Sequence, residues 1–148
     1  MKIKSIVLGA GLLLTSVLAW ADNSPVGVWK TIDDVTGQPK SLVQISMVNG
    51  ELQGKIIKLF RKPTEDQNPL CDQCTDALHN QPMLVMTILW GLKEDGEYFS
   101  GGRILDPKTG KVYKARLKTL DGGNKLEMRG FIGFSLLGRT QHWLRETP

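Results

Sequence analysis

The stretch LVQISMVNGELQGKIIKLF, residues 42–60, decides the fold. Asn49-Gly50 lies between two runs in which apolar and polar residues alternate. Both central positions of a two-residue hairpin turn need positive φ, which Asn and Gly tolerate best. A turn at that point fixes the register. Met47 faces Leu52, Ile45 faces Gly54 and Val43 faces Ile56, while Ser46 faces Gln53 and Gln44 faces Lys55. One face is apolar and the other polar, so strands Leu42–Val48 and Glu51–Phe60 are predicted to cover a core on one side only.

The same alternation continues on both sides of this hairpin. Val28–Thr31 reads as a first strand, and Leu84–Leu92, nearly all apolar and containing Trp90, as a later one. Lys93-Glu94-Asp95-Gly96 turns into Tyr98–Leu105, Asp106–Gly110 into Lys111–Leu120, and Asp121–Asn124 into Lys125–Ile132, with Arg139–Glu146 last. No segment carries a long amphipathic helix. About eight short strands joined mainly by hairpin loops predict an all-β chain folded as an antiparallel up-and-down eight-stranded barrel. Closure removes the unpaired edges an open sheet would expose. Tyr113, Ala115, Leu117, Leu126, Met128 and Gly130 form the predicted inner set. Lys114, Arg116, Lys118, Lys125 and Arg129 form a basic stripe outside. It reads as solvated surface rather than as a contact for anionic groups, because the exported chain is nearly neutral.

That neutrality follows from the N-terminus. Lys2 and Lys4, the apolar run Ile6–Leu18 and Ala19-Trp20-Ala21 are the three parts of a secretory signal peptide, with cleavage expected after Ala21. The apolar run is shorter than the roughly 20 residues a spanning helix needs, so no transmembrane segment is expected after cleavage. The domains are therefore a signal peptide, residues 1–21, and a single barrel, residues 22–148, located in the periplasm or secreted. The formal charge of +4 includes Lys2 and Lys4; what is left does not argue for nucleic acid.

Cys71 and Cys74 are the chain's two cysteines and lie in a long loop, Arg61–Pro82. An exported protein meets oxidants, so a disulfide is the default. A redox pair and a metal site are the alternatives. Pro69 and Asp72 give the motif loop character and negative charge, which disfavours a low thiol pKa, and a metal would need two further ligands, with Asp76 and His79 near in sequence. No metal or other cofactor is assigned. A loop this long is a candidate lid or partner surface, or else an excursion packed on the wall by Leu70 and Leu78. Phe131–Gly138 is apolar on both faces. It reads first as core, because such segments in small domains are usually buried, and second as an exposed lip. Trp90 and Met86 lie on one face of a strand apolar on both faces; one face must fill the barrel and the other be covered by the long loop or a second subunit, which motivates a homodimer. Enzyme chemistry finds no support. There is no nucleophile elbow or His-Glu-x-x-His and no phosphate-cradling glycine loop. His79 and His142 are the chain's histidines, and His142 reads as a wall residue.

Gly27-Val28-Trp29 on the first strand and Trp143-Leu144-Arg145 on the last resemble the calycin or lipocalin-like barrels. The resemblance implies that Arg145 covers Trp29 through a cation–π contact and closes one end. The chain as a whole resembles an exported bacterial domain-of-unknown-function family, number 2147. The matching stretches are GVWKT (27–31), CDQC (71–74), ILDPKTGKVYKA (104–115), MRGFIGFSLLGRTQHW (128–143) and the closing LR. This implies a lipocalin-like barrel and export across the inner membrane, and no activity. The leading expectation is a barrel binding a small hydrophobic or amphipathic ligand, with Gly54, Gly101, Gly102, Gly130 and Gly133 leaving room inside. The alternative is a non-enzymatic cell-envelope interaction module with a filled barrel. Trp90, Phe131, Phe134 and Leu136 are the candidate ligand or lip residues under either reading.

Overall fold

The computed structural model describes residues 23–147; the leader and its cleavage point lie outside the described residues. Eight strands follow in order: β1 (Gly27–Ile32), β2 (Pro39–Val48), β3 (Glu51–Leu59), β4 (Thr87–Asp95), β5 (Tyr98–Asp106), β6 (Lys111–Leu120), β7 (Lys125–Phe131) and β8 (Gly138–Arg145). Each pairs antiparallel with the next, and β8 returns to β1, so the sheet closes in sequence order. The hairpin has the predicted register, from Met47 opposite Leu52 to Val43 opposite Ile56. Asn49 and Gly50 supply its turn with φ of 52° and 79°.

Extra residues bend the wall at several places. Ile57 is a bulge between Lys58, opposite Leu42, and Ile56, opposite Val43. It turns outward and lets both Ile56 and Leu59 point in. On β4, Leu92 pairs with Leu52 and Leu89 with Gly54, so three steps on one strand meet two on the other. Gly91 absorbs the difference with φ of 76°, and Gly101 does the same on β5 with φ of 79°. Bulges of this kind increase local twist and help a sheet curl shut. β4 begins at Thr87 rather than at Leu84. Val85 has φ of 69°, a strained conformation for a β-branched residue. It is held by its own N–H on the Ile56 carbonyl (2.7 Å) and by the Ile56 N–H on Met86 (3.0 Å).

The core sits inside the ring. Trp29, Val43, Ile45, Leu52, Ile56, Leu89, Leu92, Ala115, Leu117, Leu126, Met128 and Trp143 are each no more than 2% exposed. Burying a side chain of this size contributes about 1.5–3 kcal/mol, so this set holds the fold together. Gln44, Ser46 and Lys55 face water. On this hairpin the outer face is polar and the inner face apolar, as the alternation requires.

Candidate functional site

In an up-and-down barrel alternate connections emerge at the same end. The turn 49–50, the turn after β4, the turn 121–124 and both described termini share one end. The β1–β2 turn (33–38), the long segment 60–86, the β5–β6 turn (107–110) and the β7–β8 turn (132–137) share the other. The two ends differ completely in chemistry.

The first end is plugged. The Arg145 guanidinium stands 4.3 Å from the centre of the Trp29 ring. It also donates to the carbonyls of Gly123 (2.6 Å), Ser24 (2.6 Å) and Val26 (3.1 Å). Trp29 Nε1 donates to the Pro25 carbonyl at 2.8 Å, and Thr119 Oγ1 to that of Asn23 at 2.7 Å. The segment 23–26 is thereby strapped across the barrel bottom. Gly27 explains itself here: a Cβ on it would lie 2.6 Å from Arg145 Nη1, at φ of 140°. The glycine of the G-x-W pattern makes room for the arginine, a role the sequence pattern alone does not disclose.

The interior above this plug is filled by side chains. The glycines expected to leave room do not. A Cβ on Gly54 would meet Leu89 at 3.0 Å and Val43 at 3.2 Å, and one on Gly102 would meet Leu92 at 2.6 Å. Ile104 and Tyr113 stand 3.6 Å from the corresponding point on Gly130, while Gly101 and Gly133 have nothing within 4 Å because they face outward. The larger neighbours occupy the space the small residues release. Near the open end the hydroxyls of Thr31 and Ser41 satisfy each other at 2.7 Å, and Trp143 Nε1 donates to Gln141 Oε1 at 3.2 Å. The mouth is bounded by half-buried Leu59, Ile104, Tyr113 and Gln141.

The long segment packs on the wall instead of capping this mouth. Cys71 and Cys74 are disulfide-bonded and buried. Cys71 Sγ lies 3.3 Å from the Pro107 carbonyl, and the Gln73 carbonyl lies against Gly110, so the CDQC turn is seated on the β5–β6 turn. Beneath it Ile88 and Leu105 point outward from β4 and β5 yet are only 6% and 2% exposed. Half-buried Trp90 packs against the same cluster. The segment thus covers the apolar outer face that motivated a second subunit, and that motive for a dimer falls away. Leu78 packs as expected, whereas Leu70 is exposed; it bridges to Pro82, and its carbonyl accepts the Asp72 N–H at 3.0 Å. His79 Nδ1 lies 2.9 Å from the Cys74 carbonyl and so serves the loop's own folding. A shallow open depression of about 430 Å³, bounded by Leu78, Pro82, Leu84 and Val85, lies along this segment outside the barrel. The disulfide closes a very small ring, so chain entropy gives it only about 2 kcal/mol. Reducing it is expected to lower stability by no more than that, leaving a cooperative barrel in urea titration; collapse of the fold on reduction would contradict this account.

The β7–β8 turn is the other feature of the open end. The expectation that it is core is overturned: Ile132, Phe134, Leu136 and Leu137 are 69%, 78%, 89% and 68% exposed. The reason is geometric. β7 and β8 end at Phe131 and Gly138, so the turn projects past an interior already filled. Phe131 itself, at the strand end, is half-buried. The turn is nevertheless ordered by its own bonds. Ile132 N–H meets the Leu137 carbonyl (3.2 Å) and Leu137 N–H that of Phe134 (3.0 Å). Arg129 Nε donates to the Ser135 carbonyl at 2.5 Å, its Nη1 to Thr140 at 2.8 Å, and Lys114 Nζ reaches the Gly133 carbonyl at 3.5 Å. Beside it, the β1–β2 turn carries exposed Val35 and is tied to β8 by the Arg139–Asp34 ion pair and by Gln141 on Asp34. Backbone N–H groups of Thr36 and Val35 hold the Asp33 carboxyl below its ordinary pKa.

The basic stripe is partly neutralised where it runs toward the plugged end. Arg116 and Lys118 stack on Tyr98 at 4.6 and 4.8 Å, Lys118 pairs with Glu97 and Lys125 with Asp121. His142 stands 3.7 Å from Glu127 on the outer wall. Toward the open end, Arg103, Lys108, Lys111 and Lys114 are exposed.

A family profile described as "Uncharacterized protein conserved in bacteria (DUF2147)" matches residues 27–145, from the first residue of β1 to the last of β8. The chain belongs to the DUF2147 family. A comparison of this DUF2147 chain with curated proteins found no match. Among solved structures it is similar to protein HP1028 of Helicobacter pylori, described as belonging to the lipocalin family. The TM-score is 0.71 over 84% of each chain, at 19% identity. That likeness establishes a lipocalin-like fold for the DUF2147 chain and leaves its activity to be argued from its own residues. Among the described residues no helix is long and apolar enough to cross a membrane.

Proposed function

We propose that this DUF2147 protein is an exported, non-enzymatic module of the bacterial cell envelope that works through the open rim of a filled barrel. One contrast carries this reading. The inward side chains have almost no accessible surface, while four apolar side chains of the β7–β8 turn stand in solvent. Isolated exposed apolar residues are ordinary, but a contiguous apolar projection marks an interaction site. Export is supported by the three-part leader and by the Cys71–Cys74 disulfide, a bond that persists in oxidising compartments.

The test is retention on isolated envelope preparations. The wild-type chain is expected to co-sediment, Phe134→Ser/Leu136→Ser to remain largely in the supernatant, and Lys55→Ser, on the outer wall, to behave as wild type. Equal retention of all three forms would sink the proposal. A second reading, a small hydrophobic ligand inside the barrel, draws on the lipocalin-like fold and on the half-buried mouth around Ile104 and Tyr113. It requires the buried inward side chains to move apart. A stoichiometric adduct in native mass spectrometry after soaking with lipid extract would favour it over the filled module.

A further inference from the structure

The rim has a chemistry of its own, and it narrows the partner. Ile132, Phe134, Leu136 and Leu137 project from one turn and are 68–89% exposed, and exposed Val35 stands on the neighbouring turn. A protruding apolar tip suits a fluid apolar phase better than a shaped protein pocket, where anchors are normally received by a matching cavity. The tip is presented in a fixed form, because Arg129 and Lys114 hold its backbone carbonyls. Less ordering entropy is then lost on insertion.

The charge around the tip is mostly positive. Lys114 lies opposite Phe131, and Arg103 lies opposite Lys114, on the strand ends nearest the turn. Lys108 and Lys111 follow on the β5–β6 turn and the start of β6. Among the described residues none of these four has a carboxylate partner within ion-pair distance, whereas the nearby acid Asp34 is paired with Arg139 and Asp106 accepts the Lys108 backbone N–H at 3.0 Å. Of the acidic residues on the long segment, Asp72 lies in the CDQC turn seated on the β5–β6 turn that carries Lys108, which leaves Arg103 and Lys114, on the strands beside the tip, as the main cations of the collar. An apolar tip collared by unpaired cations is the combination that binds anionic lipid surfaces, where buried apolar area and headgroup attraction add.

Resting on the reading that the rim is the working face, we propose that the β7–β8 turn docks this protein on an anionic phospholipid bilayer. Phe134 and Leu136, with Ile132 and Leu137, enter the acyl boundary. Arg103, Lys108, Lys111 and Lys114 meet the phosphates. A protein partner would be a different proposal, and the experiment separates the two.

Protein recovered from a bacterial host, its N-terminus established by mass, is sedimented with phosphatidylglycerol-containing vesicles and with pure phosphatidylcholine vesicles. Binding is expected to the former and to fall several-fold in high salt, where screening shortens to a few ångströms. Phe134→Ser/Leu136→Ser should weaken the vesicle partition about tenfold or more, and Arg103→Glu/Lys111→Glu should weaken it comparably on anionic vesicles. Both pairs are exposed, so unchanged thermal unfolding shows that folding is not the cause. Vesicle binding that the Phe134→Ser/Leu136→Ser pair leaves intact overturns the proposal, as does the absence of wild-type binding to anionic vesicles. If envelope retention depends on the tip while vesicles do not bind, the rim reading stands and the partner is another envelope component. If neither binds, both readings fall.

Discussion

Trp29→Ala is expected to lower stability by about 3–5 kcal/mol, the range for removing a large aromatic from a closed core, which approaches the whole stability of some small domains. Trp29 has no exposed surface, and its ring is the platform on which Arg145 rests at 4.3 Å. Removing it takes away packing and also leaves the guanidinium over a void. The carbonyls of Ser24, Val26 and Gly123 would then hold an arginine with nothing beneath it. Arg145→Met should cost less, about 1.5–3 kcal/mol, the scale of losing hydrogen bonds to a charged donor. Its carbonyl partners lie near the barrel end, where water can replace the donor. The double variant should be less than additive, because residues in contact share one interaction. Urea titration at constant slope reads all three. A loss below about 1 kcal/mol for Trp29→Ala would show that the plug is ornamental and that the barrel stands without it.

The same pair shows how far the sequence carries. Asn49-Gly50 fixes a register residue by residue because only one pairing puts Val43, Ile45 and Ile56 on one face, and that pairing is found. Trp29 and Arg145 come together where the resemblance to lipocalin-like barrels puts them. The bulges at Ile57, Gly91 and Gly101 were not legible. Two adjacent isoleucines look alike in a linear pattern, and which one turns outward is decided by the neighbouring strand. The β7–β8 turn departs from what its composition predicts for a related reason. Its composition says buried, and burial is the right default for apolar residues, but strand ends at Phe131 and Gly138 carry it past a core that other side chains already fill. The inner glycines failed in the opposite direction: small residues were read as space, whereas Leu89 and Leu92 lean into Gly54 and Gly102. Interiors pack to crystal-like density, so a small residue on one strand is usually answered by a large one on the next.

Gly110 makes the strongest case that the long segment is part of the fold rather than an appendage. A Cβ there would lie closer to the Gln73 carbonyl oxygen than any real contact allows, at 1.8 Å, and φ is 73°. Gly110→Ala therefore carries two penalties. The left-handed backbone costs about 1–2 kcal/mol for a residue with a Cβ, and the clash adds about 1–3 kcal/mol of overpacking or displaces the CDQC turn. We expect a total of about 2–5 kcal/mol. Gly37 has almost the same φ, 70°, with nothing within 4 Å of its Cβ position, so Gly37→Ala should show the backbone penalty alone. The difference between the two variants isolates the docking of the segment on the β5–β6 turn. Amide exchange should localise it: protection of the Cys71, Asn80 and Met83 N–H groups, which bond to Gln81, Cys71 and Pro69, should fall in Gly110→Ala and hold in Gly37→Ala. If the two variants lose equal stability and keep equal protection, the segment is not seated on that turn. The burial of Ile88 and Leu105 would then need another cover, and the dismissed second subunit would be the first to consider.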